Sequence, residues 1–190
     1  MESLSPEVVV PRLRGRFGHP YLYAAKAAST QRMFSPEHAE GAVAVAEEQT
    51  EGRGRLGRTW ASPPLVNVLC SVLLEPRVES PRLPELSVVA GEACADAIRA
   101  VAALEPTIKL PNDVLLEGRK VAGILAEARD GRVIVGLGIN VNVDPAELPT
   151  ALRTPATSLA AEVGRPLDRV EVLVALLERL EQAYARWLAR

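Results

Sequence analysis

The sequence predicts an α+β domain, with one mixed, mainly antiparallel sheet and helices packed on one face. Three observations predict it. Short β-branched runs are bounded by prolines and glycines, long apolar stripes recur at helical spacing, and an Asp-Gly step joins two strand-like runs between residues 120 and 139. No internal repeat interrupts this pattern, and 190 residues fit a single domain spanning 1–190.

Residues 1–20 are rich in Pro, Arg and Gly and show no clear period. Tyr21–Ala24 has strand character, and Ser29-Thr30 reads as the N-cap of a short helix ending before Ser35-Pro36. Ala42–Glu48 is a small-residue strand, and Asn67–Glu75 is a stronger one. Leu83–Leu104 carries apolar residues at 86, 89, 93, 97, 101 and 104, the spacing of an amphipathic helix. Short strands follow at Thr107–Lys109, Val114–Leu116, Lys120–Arg129 and Arg132–Ile139, parted by Glu117-Gly118-Arg119 and Asp130-Gly131. A short helix near Ser158–Val163 stops at Gly164, and a last helix runs from about Asp168 with its stripe at 170, 173, 174, 177, 180 and 184.

Composition excludes several function classes. The hydrophobic fraction of 48% promises a real core, and a net charge of −2 argues against an extended nucleic-acid footprint. Cys70 and Cys94 lack metal-ligand spacing and read as buried free thiols. No signal peptide begins the chain and no apolar run reaches the ~18 residues of a membrane span, so the expectation is a cytoplasmic protein without membrane or nucleic-acid partners.

Chemistry concentrates in Gly52-Arg53-Gly54-Arg55-Leu56-Gly57-Arg58-Thr59-Trp60. Alternating glycines let a backbone approach a ligand, and arginines bind phosphates and carboxylates through several donors at once. The segment therefore reads as a loop that wraps a small anion. It also contains Gly-x-Gly-x-x-Gly, but Pro63-Pro64 follow where a dinucleotide fingerprint requires a helix.

A second cluster, Lys109-Leu110-Pro111-Asn112-Asp113, can hold a triphosphate, a ribose or a magnesium ion, and it also fits a solvated turn. Strand parity places Lys120 on the face of Ala122 and Ile124, and places Gly136, Gly138 and Asn140 together on one face. Two glycines in a strand mark the close approach of a ligand or another backbone, or a bulge.

Taken together, Gln49-x-x-Gly52-Arg53-Gly54-Arg55-x-Gly57-Arg58-x-Trp60, Lys109-x-Pro111-Asn112-Asp113, Lys120-x-x-Gly123-Ile124-Leu125 and Gly136-x-Gly138-Ile139-Asn140-x-Asn142 resemble the biotin–protein ligase family in order and approximate spacing. The resemblance implies the class II synthetase-like catalytic domain that biotin and lipoate ligases share. It implies activation of biotin by ATP to biotinyl-5′-AMP with release of pyrophosphate, then transfer to a lysine of a biotin carboxyl carrier protein. It also allows a homodimer.

By the same resemblance, Lys120 and Arg55 are catalytic. Ser29, Thr30, Gln49, Gly52, Arg53, Gly123, Gly136 and Gly138 join them around biotin. Arg53, Arg58, Trp60, Lys109, Asn112 and Asn140 hold the nucleotide, with Trp60 stacked on adenine, and Asp113 holds Mg²⁺. Three departures stand out. Ala28 replaces an aspartate, Leu110 replaces an aromatic, and the chain ends at Arg190 where the family continues into a small β-barrel. The expectation is a monofunctional ligase without that barrel or a helix-turn-helix. A lipoate-type ligase and a non-catalytic biotin or nucleotide sensor are the alternatives.

Overall fold

The computed structural model of the chain describes residues 2–129, 131–149 and 154–190. Strands β1 (Tyr21–Ala27), β2 (Val43–Gln49), β3 (Val68–Leu74), β4 (Thr107–Lys109), β5 (Asp113–Leu116), β6 (Arg119–Arg129) and β7 (Arg132–Ile139) lie close to the runs named above. Among the described residues they form one seven-stranded sheet in the order β1-β2-β3-β7-β6-β5-β4. Only β1 and β2 pair in parallel; the other neighbours are antiparallel.

Two tight turns build the β5-β6-β7 meander. Leu116 pairs with Arg119, leaving Glu117 and Gly118 as a two-residue loop with φ of 47° and 75°. Positive φ at both central positions is what a hairpin of this length needs to match strand twist. Arg129 pairs with Arg132, and Gly131 takes φ 76°, while Asp130 lies outside the described residues.

Helices α1 (Pro6–Val9), α2 (Leu86–Ala102), α3 (Leu159–Val163) and α4 (Arg169–Leu188) complete the described elements. The long ones, α2 and α4, pack against each other and against one face of the sheet. Strand alternation supplies that face: Val43 and Val45, Val68 and Val72, Val133 and Val135, and Ile124 are all buried there. Leu173, Leu176, Leu177 and Leu180 of α4 close the core, each burial stabilising by roughly 1.5–3 kcal/mol. Asp168 caps α4 by accepting the Val170 N–H, and Ser158 caps α3 by accepting that of Ala161.

Some expectations change. The first long helix begins at Leu86, because Pro81 and Pro84 hold Ser80–Glu85 in a 3₁₀ turn. Thr30–Arg32 is a single 3₁₀ turn, and Ser29 makes no capping hydrogen bond. Along α4, Leu176 is buried while Val174 is half-buried. The N-terminal stretch is not formless: Leu4, Val9 and Phe17 are buried, and the Leu4 N–H donates to Glu47 Oε1 at 2.7 Å. Glu47 in turn pairs with Arg169 at 2.6 Å, with the two side chains 3% and 1% exposed.

Candidate active site

The face of the sheet opposite α2 and α4 carries a pocket, and cross-strand register makes its floor. Leu69, Gly138, Gly123 and Asp113 form one row across β3, β7, β6 and β5, and Ser71, Gly136 and Leu125 form the next. The glycines are required by their own chain's side chains. A Cβ on Gly138 would stand 2.5 Å from Trp60 Cε2, and one on Gly123 2.8 Å from Trp60 Cζ3, so the indole lies across both strands. A Cβ on Gly136 would stand 2.9 Å from Gln31 Nε2.

The Gly/Arg loop delivers Trp60 there by folding back on itself. Arg53 bridges to Thr59, the Trp60 N–H donates to Gly52 O at 2.9 Å, and the Gly54 N–H donates to Arg58 O at 2.7 Å. Gly52 is needed inside the loop, since its Cβ would meet Trp60 O at 2.4 Å. Arg53 reaches to Glu127 of β6 at 2.6 Å and to Gln31 Oε1 at 3.3 Å. Arg55 and Arg58 line the pocket and, among the described residues, have no carboxylate within salt-bridge distance.

At the opposite wall Lys120 Nζ lies 2.6 Å from Asp113 Oδ1 and 5.4 Å from the centroid of the Trp60 ring. This corrects the parity argument for Lys120. Asp113 pairs with Gly123 and Val114 with Ala122, but Leu115 pairs with Lys120, so Val121 is an extra residue on β6. The bulge flips Lys120 onto the face of Asp113 and Gly123. A strap then holds its backbone: the Lys120 N–H donates to Pro155 O at 2.7 Å, and Lys120 O accepts from the Thr157 N–H at 2.9 Å.

Ser29, Thr30 and Gln49 form the third side. The Thr30 N–H and Oγ1 both donate to Gln49 Oε1, at 2.8 and 3.2 Å, and Thr30 Oγ1 lies 2.7 Å from Ser71 Oγ. Asn112 and Asn140 line the pocket with their amide nitrogens committed, to Ile124 O and Thr157 O at 3.0 Å each. Among the residues expected here, Lys109 is not brought in. Its Nζ donates to Thr154 Oγ1 at 2.9 Å, away from the pocket lining. Gln31, Ser71 and the 155–157 strap were not foreseen. Ser71 is the one polar position within Val-Leu-Cys-Ser-Val-Leu-Leu, a legible signal, whereas nothing local marks the strap.

No group of three or more His, Cys, Asp or Glu clusters among the described residues. Among the described residues, Asp113 is the carboxylate that lines the pocket, which fits a magnesium ion brought in on phosphates and does not fit a metal caged by protein. Cys70, at the pocket edge, is buried, and burial pushes its thiol up to about 12.

Residues 23–144 match the biotin/lipoate A/B protein ligase family. The chain belongs to this family. It is 38% identical over 154 residues to the bifunctional ligase/repressor BirA of Bacillus subtilis, covering 78% of this chain and 47% of that protein. It is 37% identical to the biotin–[acetyl-CoA-carboxylase] ligase of Mycobacterium tuberculosis, covering 78% of this chain and 56% of the relative. The chain thus spans about half the length of these relatives. Among solved structures, the Aquifex aeolicus biotin protein ligase in complex with biotin and ATP superposes with a TM-score of 0.80 at 33% identity, over 89% of this chain and 72% of that one. No described helix is long and apolar enough to cross a membrane.

Proposed function

We propose that this chain is an ATP-dependent biotin–protein ligase. The observation that carries the reading is one pocket with a hydroxyl–amide pair at one wall, Lys120 at the other, and two exposed arginines, Arg55 and Arg58, in its lining that pair with no carboxylate among the described residues. The relatives' names and the biotin–ATP complex of the Aquifex protein support it.

In the first step the biotin carboxylate attacks the α-phosphorus of ATP, forming the acyl–adenylate and expelling pyrophosphate. Two anions must meet, so catalysis is mostly positioning and charge neutralisation. Lys120, fixed by the strap and by Asp113, sits where both anions converge. Arg53, Arg55 and Arg58 close over the adenylate, and Asp113 is the carboxylate that would hold Mg²⁺, which neutralises phosphate charge when bound. Lying on the glycine floor, Trp60 offers its other face to a planar group, the adenine or the bicyclic ring. In the second step the amine of a carrier-protein lysine attacks the acyl carbon. AMP leaves and an amide remains.

Biotin is favoured over lipoate by the Thr30–Gln49 wall. A cyclic urea offers N–H and C=O to the remaining Thr30 lone pair and the Gln49 amide nitrogen, whereas a dithiolane offers neither and would leave that hydrogen-bonding capacity unused. Pyrophosphate release from ATP that requires biotin, does not occur with lipoate, and is followed by biotinylation of a carrier domain is the expected result. Release with lipoate alone would overturn the assignment, and biotin binding without release would make the protein a sensor.

A further inference from the structure

Ser71 sits mid-strand in β3, fully buried, on the pocket face beside Gly136. Its neighbours Cys70 and Val72 are apolar, and a buried hydroxyl there costs free energy unless it is paired. Its partner is Thr30 Oγ1 at 2.7 Å.

The direction of that hydrogen bond follows from the atoms around it. The backbone N–H of Thr30 donates to the Gln49 side chain at 2.8 Å, which identifies the receiving atom as the carboxamide oxygen. Thr30 Oγ1 lies 3.2 Å from the same oxygen and can only donate to it. A hydroxyl has one proton. Thr30 has therefore spent its own, and Ser71 is the donor to Thr30.

This ordered chain of donors, Ser71 to Thr30 to Gln49, has two consequences at the pocket wall. The Gln49 amide group is turned so that its nitrogen, a pure donor, is free of the Thr30 contact. Thr30 Oγ1 keeps one lone pair, a pure acceptor, because the other is filled by Ser71. The wall then presents one donor beside one acceptor, the complement of an adjacent C=O and N–H.

We infer that Ser71 is a positioning residue of the ligand site, acting through Thr30 to select a cyclic urea. It touches no ligand itself. The inference rests on the biotin reading above.

A double-mutant cycle with biotin as the probe tests it. Ser71→Ala is expected to raise the biotin KM in the pyrophosphate assay about tenfold, the scale of one misdirected hydrogen bond. The KM for ATP, kcat and the melting temperature should stay near the wild-type values. In a Thr30→Ala background, Ser71→Ala should cost nothing further, because the group it directs is gone. Ser71→Cys, similar in size with a weaker donor, should fall between, and it carries the test if the alanine variant does not fold. Equal losses in both backgrounds, or a parallel rise in the ATP KM, would overturn the role of Ser71 alone. A wild-type protein that binds no biotin removes the biotin reading and the urea with it.

Discussion

Lys120 and Asp113 face each other across β5 and β6 at 2.6 Å, and they do so only because Val121 is an extra residue in β6. The side chains are 21% and 19% exposed, so the pair is partly screened and contributes little to folding. Under the proposed function its use is orientation, because a lysine tethered at one side is pre-placed for an incoming anion.

Lys120→Ala should therefore abolish adenylate formation, with a loss of about 10²–10³ in kcat, the scale of removing one electrostatic contact from a preorganised site. The melting temperature should move by only a few degrees. Pyrophosphate release near the wild-type rate would remove Lys120 from the mechanism.

Gly138→Ala is expected to drive the indole of Trp60 off the floor, since the added Cβ would stand 2.5 Å from the ring and the strand backbone cannot yield. The readout is tryptophan fluorescence, shifted to the red, with a fall in biotin affinity of about tenfold or more. Trp187 is buried against the helices and gives a constant background. An unshifted spectrum would mean that the sheet accommodates the methyl group.

The loop tip at Leu56 and Gly57 is exposed and flanked by Arg55 and Arg58. Trypsin should cut there in the free protein and more slowly with biotin and ATP, as anions draw the arginines inward. Equal cleavage in both states would count against closure.

Arg169→Ala should lower the melting temperature by roughly 10 °C. It leaves Glu47 buried without its counter-charge, a defect worth about 3–5 kcal/mol, and one kcal/mol moves a domain of this size by about 2–4 °C. Thermal unfolding followed by circular dichroism gives the answer, and a shift under about 2 °C would refute the importance of the pair.

Stability should fall in alkali. Burial pushes the Cys70 thiol from its ordinary 9.0 up to about 12, and raises Cys94 and the Tyr21 hydroxyl as well. The folded protein keeps these protons where the unfolded chain releases them. Their contribution is thus complete below about pH 9 and is lost as pH rises toward 12. Denaturant midpoints that stay constant from pH 8 to pH 10.5 would contradict this, as would fast alkylation of the folded protein.

Much of the architecture was legible in the residues themselves, because local chemistry is read locally. The Glu117-Gly118 turn, the stripes of α2 and α4, and the capping Ser158 and Asp168 each report a periodicity or a backbone requirement confined to a few neighbours. The Gly/Arg loop was legible as an exposed, charged segment for the same reason, since three guanidinium groups in six residues have no place in a core.

Tertiary structure decided the rest. Whether Lys120 faces the pocket depends on one unpaired residue in a hairpin, and period-two reasoning cannot see a bulge. That Gly123 and Gly138 cradle Trp60 depends on the register of two strands, β6 and β7, and on a loop more than 60 residues earlier. Glu47 meets Arg169 across 122 residues, and Ser71 meets Thr30 across 41. Composition and spacing can say which groups a chain carries. Which of them share a hydrogen bond is settled only when distant segments are brought to within 3 Å by the packing of one sheet against two helices.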